Sequence, residues 1–417
     1  MNQFLERLKT DKTLQLLIII GIPILIIFLV FIGSLFGGGS SKKQKLPCYN
    51  TTLTIWAPFA EEKFLPLLRD YEKYCVKFDY RRVQFEELMD ILPRIMVQDK
   101  VPDIVYVDRF HLLSFAELFS KAATTTVNSI NINLTDIERK WFSPWLGIPF
   151  FVDSLVIIYH PDILLSSGFT TPPETFSQLK DYISKTRILD ENRNLVYAPI
   201  SFGSLYETRT GELLLALANL NLTYLDRDKL IDEFLKAIDF YLSFNNPLND
   251  NFSYSSLWPN GLTTFLQRKA GAIFGFYDDI INIKRTDPLI GLKVGPLPRY
   301  DNSPKKSNFT KVYYFAPLKT KNSKVAWEFI YWFYKNKLKS LSNNLGLIPA
   351  SIKLKDKLSE EKRIVFEGAL SGDTFDLVNI ENMDKNINLI LSTWQNKRDE
   401  GFRTFKNYEF SIFPSNK

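Results

Sequence analysis

Few residues in this 417-residue chain are placed to do chemistry, and most of those are carboxylates or aromatics at the ends of apolar runs. Asp108 closes the run Ile104–Val107 and is followed at once by Arg109. Asp153 interrupts the aromatic and β-branched stretch from Phe150 to Tyr159, and Asp278 and Asp279 follow the segment FLQRKAGAIFGFY. Paired carboxylates at the right separation hydrolyse glycosidic bonds, so Asp153, Asp278 and Asp279 define one enzymatic reading. No motif supports it, and capping a helix is the better reading of Asp278-Asp279. The aromatics point elsewhere. Ring faces stack on the CH-rich faces of sugars, while Asp, Glu, Asn and Arg bond the hydroxyls at the edges; the competing expectation for each ring is an ordinary place in a core. Two histidines, His111 and His160, and two cysteines, Cys48 and Cys75, leave almost no material for a zinc site. Asp190 to Asn194 has the D-x-N-x-N spacing of a calcium loop, but Leu195 stands where that loop needs glycine, so a plain turn is expected. No cofactor is implied.

The elements that must hold these residues alternate between strand and helix patterns. Thr52–Trp56 reads as a strand, Phe64 to Tyr74 as an amphipathic helix, and Lys77–Val83 as a second strand. Phe85–Gln98 reads as a helix with Pro93 as a kink, and Val101–Asp108 as a third strand. Such a β-α-β-α-β order gives parallel strands with right-handed crossovers. Ligands bind beyond the carboxyl ends of such strands, which points to Trp56, Phe59, Asp108 and Arg109. The alternatives are a core role for Trp56 and a helix N-cap role for Asp108. The stretch Gly147–Asp162 is apolar on both faces from Leu155 to Ile158, as in a strand covered by helices on both sides, and suits a crossing between two α/β lobes. Beyond it, Thr175 caps a helix, Val196–Phe202 is a strand, and Gly211–Leu222 is a buried helix apart from Glu212 and its asparagines.

Length and composition agree with two lobes plus an appendage: 45% hydrophobic and 14% aromatic residues supply large cores and exclude disorder of the whole chain. The net charge of +6 is spread along the chain without a basic stripe, which gives nucleic-acid binding little support. Residues 14–36 carry no charge and are long enough, as a helix, to cross a bilayer. They exceed the usual apolar core of a signal peptide and lead into Gly37-Gly38-Gly39-Ser40-Ser41. The expectation is a cytoplasmic terminus over 1–13, an uncleaved single-pass anchor over 14–36, a flexible linker over 37–50 and one two-lobed domain over 51–417. Cleavage in the glycine stretch is the alternative. Cys48 precedes the first strand and Cys75 ends the first helix; antiparallel packing brings the two close, so a disulfide or two separate thiols are the options.

Several segments, in order, resemble a known family. GIPFFVDSLVIIYHPD resembles the crossing segment of family 1 extracellular solute-binding proteins, the maltose-binding-protein-like receptors of ABC importers. LTIW and PDIVYVD resemble its opening, PPETF its second-lobe helix start, and KAGAIFGFY its return strand. LKVGPLP, AWEFIYWFY and GLIPA resemble later elements, so the likeness runs from about Leu53 to Ala350. Departures include Arg268 in place of a glycine and Lys-Leu-Pro before Cys48, which is not a lipobox. The resemblance implies a periplasmic-binding-protein-like fold of type II. Its first lobe is expected over about 51–150 and 268–312, its second over about 155–265 and 317–417. It implies an extracytoplasmic monomer that captures a small solute, a sugar or oligosaccharide first, and hands it to a permease without making or breaking a bond. Phe276 and Tyr277 stand where the family often places a stacking aromatic. With them, Phe151, Asp153, Tyr206, Trp258 and Tyr313 complete the expected contacts. A sensory or scaffolding receptor on the same fold is the alternative to transport.

Overall fold

The structure is a computed structural model. It describes residues 48–414 except 98–99, 132–133, 206–208, 225 and 304–307. The expected anchor over 14–36 and the linker up to residue 47 lie outside the described residues, as does Tyr206. Among the described residues no helix is long and apolar enough to cross a membrane.

From Asn50 onward the chain forms one compact unit built on two main sheets. The first has the order β2-β1-β3-β10-β4, formed by Thr51–Ala57 (β1), Val76–Arg82 (β2), Ile104–Asp108 (β3), Ile148–Ser154 (β4) and Thr310–Pro317 (β10). β1 lies parallel to β2 and β3, whereas β10 runs antiparallel to β3 and β4. The second sheet has the order β8-β5-β9, from Val156–Tyr159 (β5), Ala272–Gly275 (β8) and Lys293–Pro296 (β9), with β5 antiparallel to both neighbours. Between β5 and β8 in the chain, Ile188–Leu189 (β6) and Leu195–Tyr197 (β7) form a small hairpin. After it Ala198 and Ser201 bridge to Ala270 and Ile273 beside β8.

The long apolar stretch at 148–159 is buried at every position. Its break at Leu155 sends β4 into one sheet and β5 into the other, which is the crossing that double-sided burial calls for. Two apolar cores result. One gathers Trp56, Val107, Leu112, Val152, Tyr314 and Phe366; the other gathers Ile157, Phe176, Leu214, Phe234, Ile387 and Phe405.

Packing assigns some segments differently from the expected boundaries. β8 and β9 lie in the stretch 268–312 expected in the first lobe, yet they pair with β5 in the second sheet. The first sheet is regained only at β10. The helix Ser323–Leu345 lies in the stretch 317–417 expected in the second lobe, but packs on first-lobe aromatics: Phe333 against Phe64 and, in the first sheet, Phe150 and Phe315. The helix Glu360–Ser371 stays there too, through Val365, Phe366 and Ala369. The chain then crosses at 371–375, and Phe375 and Val378 join the second core. Alternating burial marks where an element is covered but not which of two cores covers it, so sequence could not place these segments.

Three chain crossings therefore lie side by side. Ser154 pairs with Thr310, and Phe309 bridges Asp373. Asn308, 4% exposed, stitches them: its side chain accepts from Leu155 N at 3.1 Å and donates to Leu155 O at 2.9 Å. Gly372 is needed here, because a methyl group would overlap Thr310 Oγ1 and stand 2.9 Å from Asn308 O.

Candidate ligand cleft

The strand ends and helix starts on the two sides of these crossings enclose a cleft of about 650 Å³. Phe59, Phe85, Tyr106, Asp108, Arg109 and Tyr313 line it from the first lobe, and Arg209, Glu212, Thr374 and Asp384 from the second, with Asp278 and Lys311 between. Volumes of this order suit small-molecule ligands.

The aromatic wall is a packed set of rings. Tyr106 and Tyr313 stack at 5.7 Å and 6°, Phe85 meets Tyr313 edge-on at 5.7 Å, and Phe59 meets Tyr106 at 4.8 Å. Burial, then the nearby Asp278 charge, holds both tyrosine hydroxyls well above their usual range, so they are neutral hydrogen-bonding groups.

Two charged clusters sit against this wall. At the end of β3, Asp108 caps the helix Arg109–Ser114, accepting from His111 N at 2.8 Å and lying 2.9 Å from His111 Nδ1. Burial pulls the imidazole pKa down, but the Asp108 hydrogen bond and charge raise it overall. Arg109 Nε and Nη2 donate to the two oxygens of Asp376 at 2.7 and 2.6 Å, and Nη1 donates to Ser143 O at 2.8 Å and Tyr314 Oη at 3.0 Å.

The second cluster lies at the start of the helix Thr210–Asn219, which is buried at every position. Arg209 pairs with Asp279 at 3.0 Å, and Lys311 pairs with Glu212 Oε1 at 3.0 Å. Both cations lie over the ring of Phe276, the guanidinium at 5.3 Å and the ammonium at 4.1 Å. Glu212 is 1% exposed, and its Oε2 has no hydrogen-bond partner among the described residues. Burial, then the Asp279 charge, raises the Asp278 carboxyl, which makes no hydrogen bond or ion pair among the described residues. Loss of surrounding water and the Glu212 charge push the Asp384 carboxyl up to about 7.

Of the residues expected to contact a ligand, Phe59, Asp108, Arg109 and Tyr313 line the cleft. Phe151, Asp153 and Tyr277 line a side pocket of only about 10 Å³ at its floor. Asp153 is 2% exposed and accepts three backbone N–H groups, from Ser154 at 2.8 Å, Tyr277 at 2.9 Å and Asp278 at 3.0 Å. It ties the crossing to the start of the helix Tyr277–Thr286. Phe276 is 1% exposed beneath its two cations. Trp56 is a 2% exposed core residue with Arg81 over its ring, and Trp258 packs in a satellite cluster with Leu195, Ala198 and Phe252; neither lines the cleft. Their chain positions matched strand ends and loops, but the side-chain alternation turned Trp56 inward. Sequence reading passed over Phe85, Tyr106, Arg209 and Lys311. Glu212 alone carried a signal, as a carboxylate in an otherwise apolar helical run. Asp190 takes up the N–H groups of Asn192 and Asn194, as a plain turn would. Neither cysteine is a free thiol; both are disulfide-bonded.

No curated protein matches this sequence. Solved structures do. A maltose-binding protein of Listeria monocytogenes in complex with maltose is 16% identical, covers 88% of this chain and 100% of its own, and superposes with a TM-score of 0.68. A maltotriose-binding protein of Thermus thermophilus is 16% identical, with coverage of 86% and 98% and a TM-score of 0.61. A sugar-binding protein of Xanthomonas citri is 16% identical, with coverage of 87% and 96% and a TM-score of 0.67. At these identities the likeness establishes the two-lobed fold. The family model for bacterial extracellular solute-binding proteins matches residues 50–339, and the chain belongs to that family.

Proposed function

We propose that this protein captures a sugar or short oligosaccharide in the cleft between its lobes and delivers it to an ABC permease. The cleft itself is the observation that carries the reading: six lysine or arginine and six acidic side chains line it beside a wall of aromatic rings. Neither residue type outnumbers the other, as suits a ligand with both donors and acceptors. Sugar hydroxyls both donate and accept, so they match an array that mixes arginine and lysine donors with carboxylate acceptors. Aromatic edges from Phe59, Phe85 and Tyr313 supply apolar contact. The structurally similar proteins are described as binding maltose and maltotriose, which supports the same class.

Binding, not bond cleavage, is the activity this reading assigns. Residues 14–36 anchor the chain, and the domain lies on the extracytoplasmic side, where a Cys48–Cys75 disulfide is permitted. The protein acts as a monomer.

A thermal-unfolding screen of the full chain in detergent against maltose, maltotriose and mannobiose tests the reading. A ligand that binds only the folded state adds RT ln(1 + [L]/Kd), about 2.7 kcal/mol at a hundredfold excess over Kd. A dose-dependent rise with one sugar supports it. A folded protein that shows no shift with any of the three sinks the sugar assignment.

A further inference from the structure

Arg109 reaches between the lobes. It starts the helix after β3, and its own lobe braces it from several sides: Ser143 O and Trp141 O accept from Nη1 at 2.8 and 3.3 Å, and Tyr314 Oη lies at 3.0 Å. Those contacts fix the guanidinium plane and leave the Nε and Nη2 edge facing Asp376. Asp376 belongs to the other lobe, standing between Phe375 and Val378, both in the second core. Thr374 Oγ1 donates to Asp376 Oδ1 at 2.8 Å and orients the carboxylate. The pair is bidentate, braced on both sides, and only three residues beyond the crossing at Asp373.

We infer that Arg109 and Asp376 form an inter-lobe tie that restrains the angle between the lobes, so that they act as positioning residues for solute capture. The inference rests on reading the cleft as the space that closes over solute. A planar fork held at both nitrogens restricts rotation as well as distance, whereas a single point charge would allow the lobes to swing. The tie lies beside the pivot, so loss of its angular restraint is amplified at the cleft mouth. The Asp376 side chain is 39% exposed and that of Arg109 11%, so the tie weakens as salt is raised.

Ligand-free hydroxyl-radical footprinting of the full chain in detergent tests this, read at Tyr313 and Lys311. Both line the cleft, and neither bonds to Arg109 or Asp376. Asp376→Asn turns one acceptor into a donor facing the guanidinium; it is expected to raise labelling at both positions roughly fivefold, the scale for one well-oriented partly exposed pair. Asp376→Glu keeps the charge and is expected to return labelling towards the wild-type value. If Asp376→Asn does not unfold cooperatively, Arg109→Lys, which keeps the charge and loses the fork, is read in the same way. Labelling at Tyr313 and Lys311 unchanged in a folded variant would overturn the inference, even if peptides around 374–380 change. No sugar is added, so failure here leaves the ligand assignment standing, and failure of the sugar screen leaves this result readable.

Discussion

Replacing Asp153 by Ala strikes the point where the crossing strand, the second sheet and the helix Tyr277–Thr286 meet. The carboxylate accepts backbone N–H groups from Ser154, Tyr277 and Asp278 at 2.8–3.0 Å in a site 2% exposed. Hydrogen bonds to a charged group are worth about 1.5–3 kcal/mol each, and a buried donor left unpaired costs a similar amount. Against this stands the cost of the buried charge: burial first, then the neighbouring Asp278, raises the Asp153 pKa well above its usual value. Removing the carboxylate relieves that strain and spares Asp278 a like charge. Three lost bonds less the relief leave a net loss of roughly 3 kcal/mol, a large part of the 5–15 kcal/mol typical of a folded domain. Urea unfolding of the full chain with and without the substitution measures it. Hydrogen exchange locates it, since the Tyr277 and Asp278 amides should lose protection before the rest of the helix. A loss below about 1 kcal/mol, or unchanged protection at those two amides, would refute the argument that Asp153 is a backbone clamp.

Other substitutions probe separate parts of the molecule. Gly372→Ala forces a methyl against Thr310 Oγ1 and Asn308 O at the crossings and should destabilise by about 1–3 kcal/mol in denaturant unfolding. Trp56→Ala empties a core site and should cost about 3–5 kcal/mol while leaving the Kd for any bound sugar, measured by calorimetry, within twofold, roughly the precision expected for a residue outside the cleft. The Asp384 pKa rises from its ordinary value to about 7 in the fold. Its neutral form therefore favours folding: that stability is complete below the unfolded pKa near 4 and is lost as pH rises through about 7. Asp384→Asn should flatten the fall in melting temperature between pH 5 and 7.5, and an unchanged slope would count against a raised pKa there.

Much of this molecule was legible in its sequence because local chemistry fixes local form. Double-sided apolarity at Leu155–Ile158 has no solution but a strand covered on both faces, and the structure uses it as the crossing between sheets. Thr175 and Asp108 each bond the N–H group of the third residue on, as their types and positions anticipate. The ordered motifs from Leu53 to Ala350 carried the family, and the family model covers nearly the same span.

Tertiary structure decided which of two cores each later segment joined and which side chains faced the cleft. The helix Ser323–Leu345 reads the same whether it covers the first sheet or the second; only the aromatic partners of Phe329 and Phe333 choose. Trp56 and Phe59 lie three residues apart after the same strand pattern, yet one is a core residue and the other lines the cleft, because alternation and the turn at Ala57–Ala60 aim them apart. Arg209 and Glu212 are neighbours on one helix turn, but Lys311 stands about a hundred residues further along the chain and meets them only because the crossings bring β10 against the start of a second-lobe helix. Charge partners so distant leave no periodic trace in a sequence, which is why the stretch of 148–159 announced the architecture while the polar cleft had to await the fold.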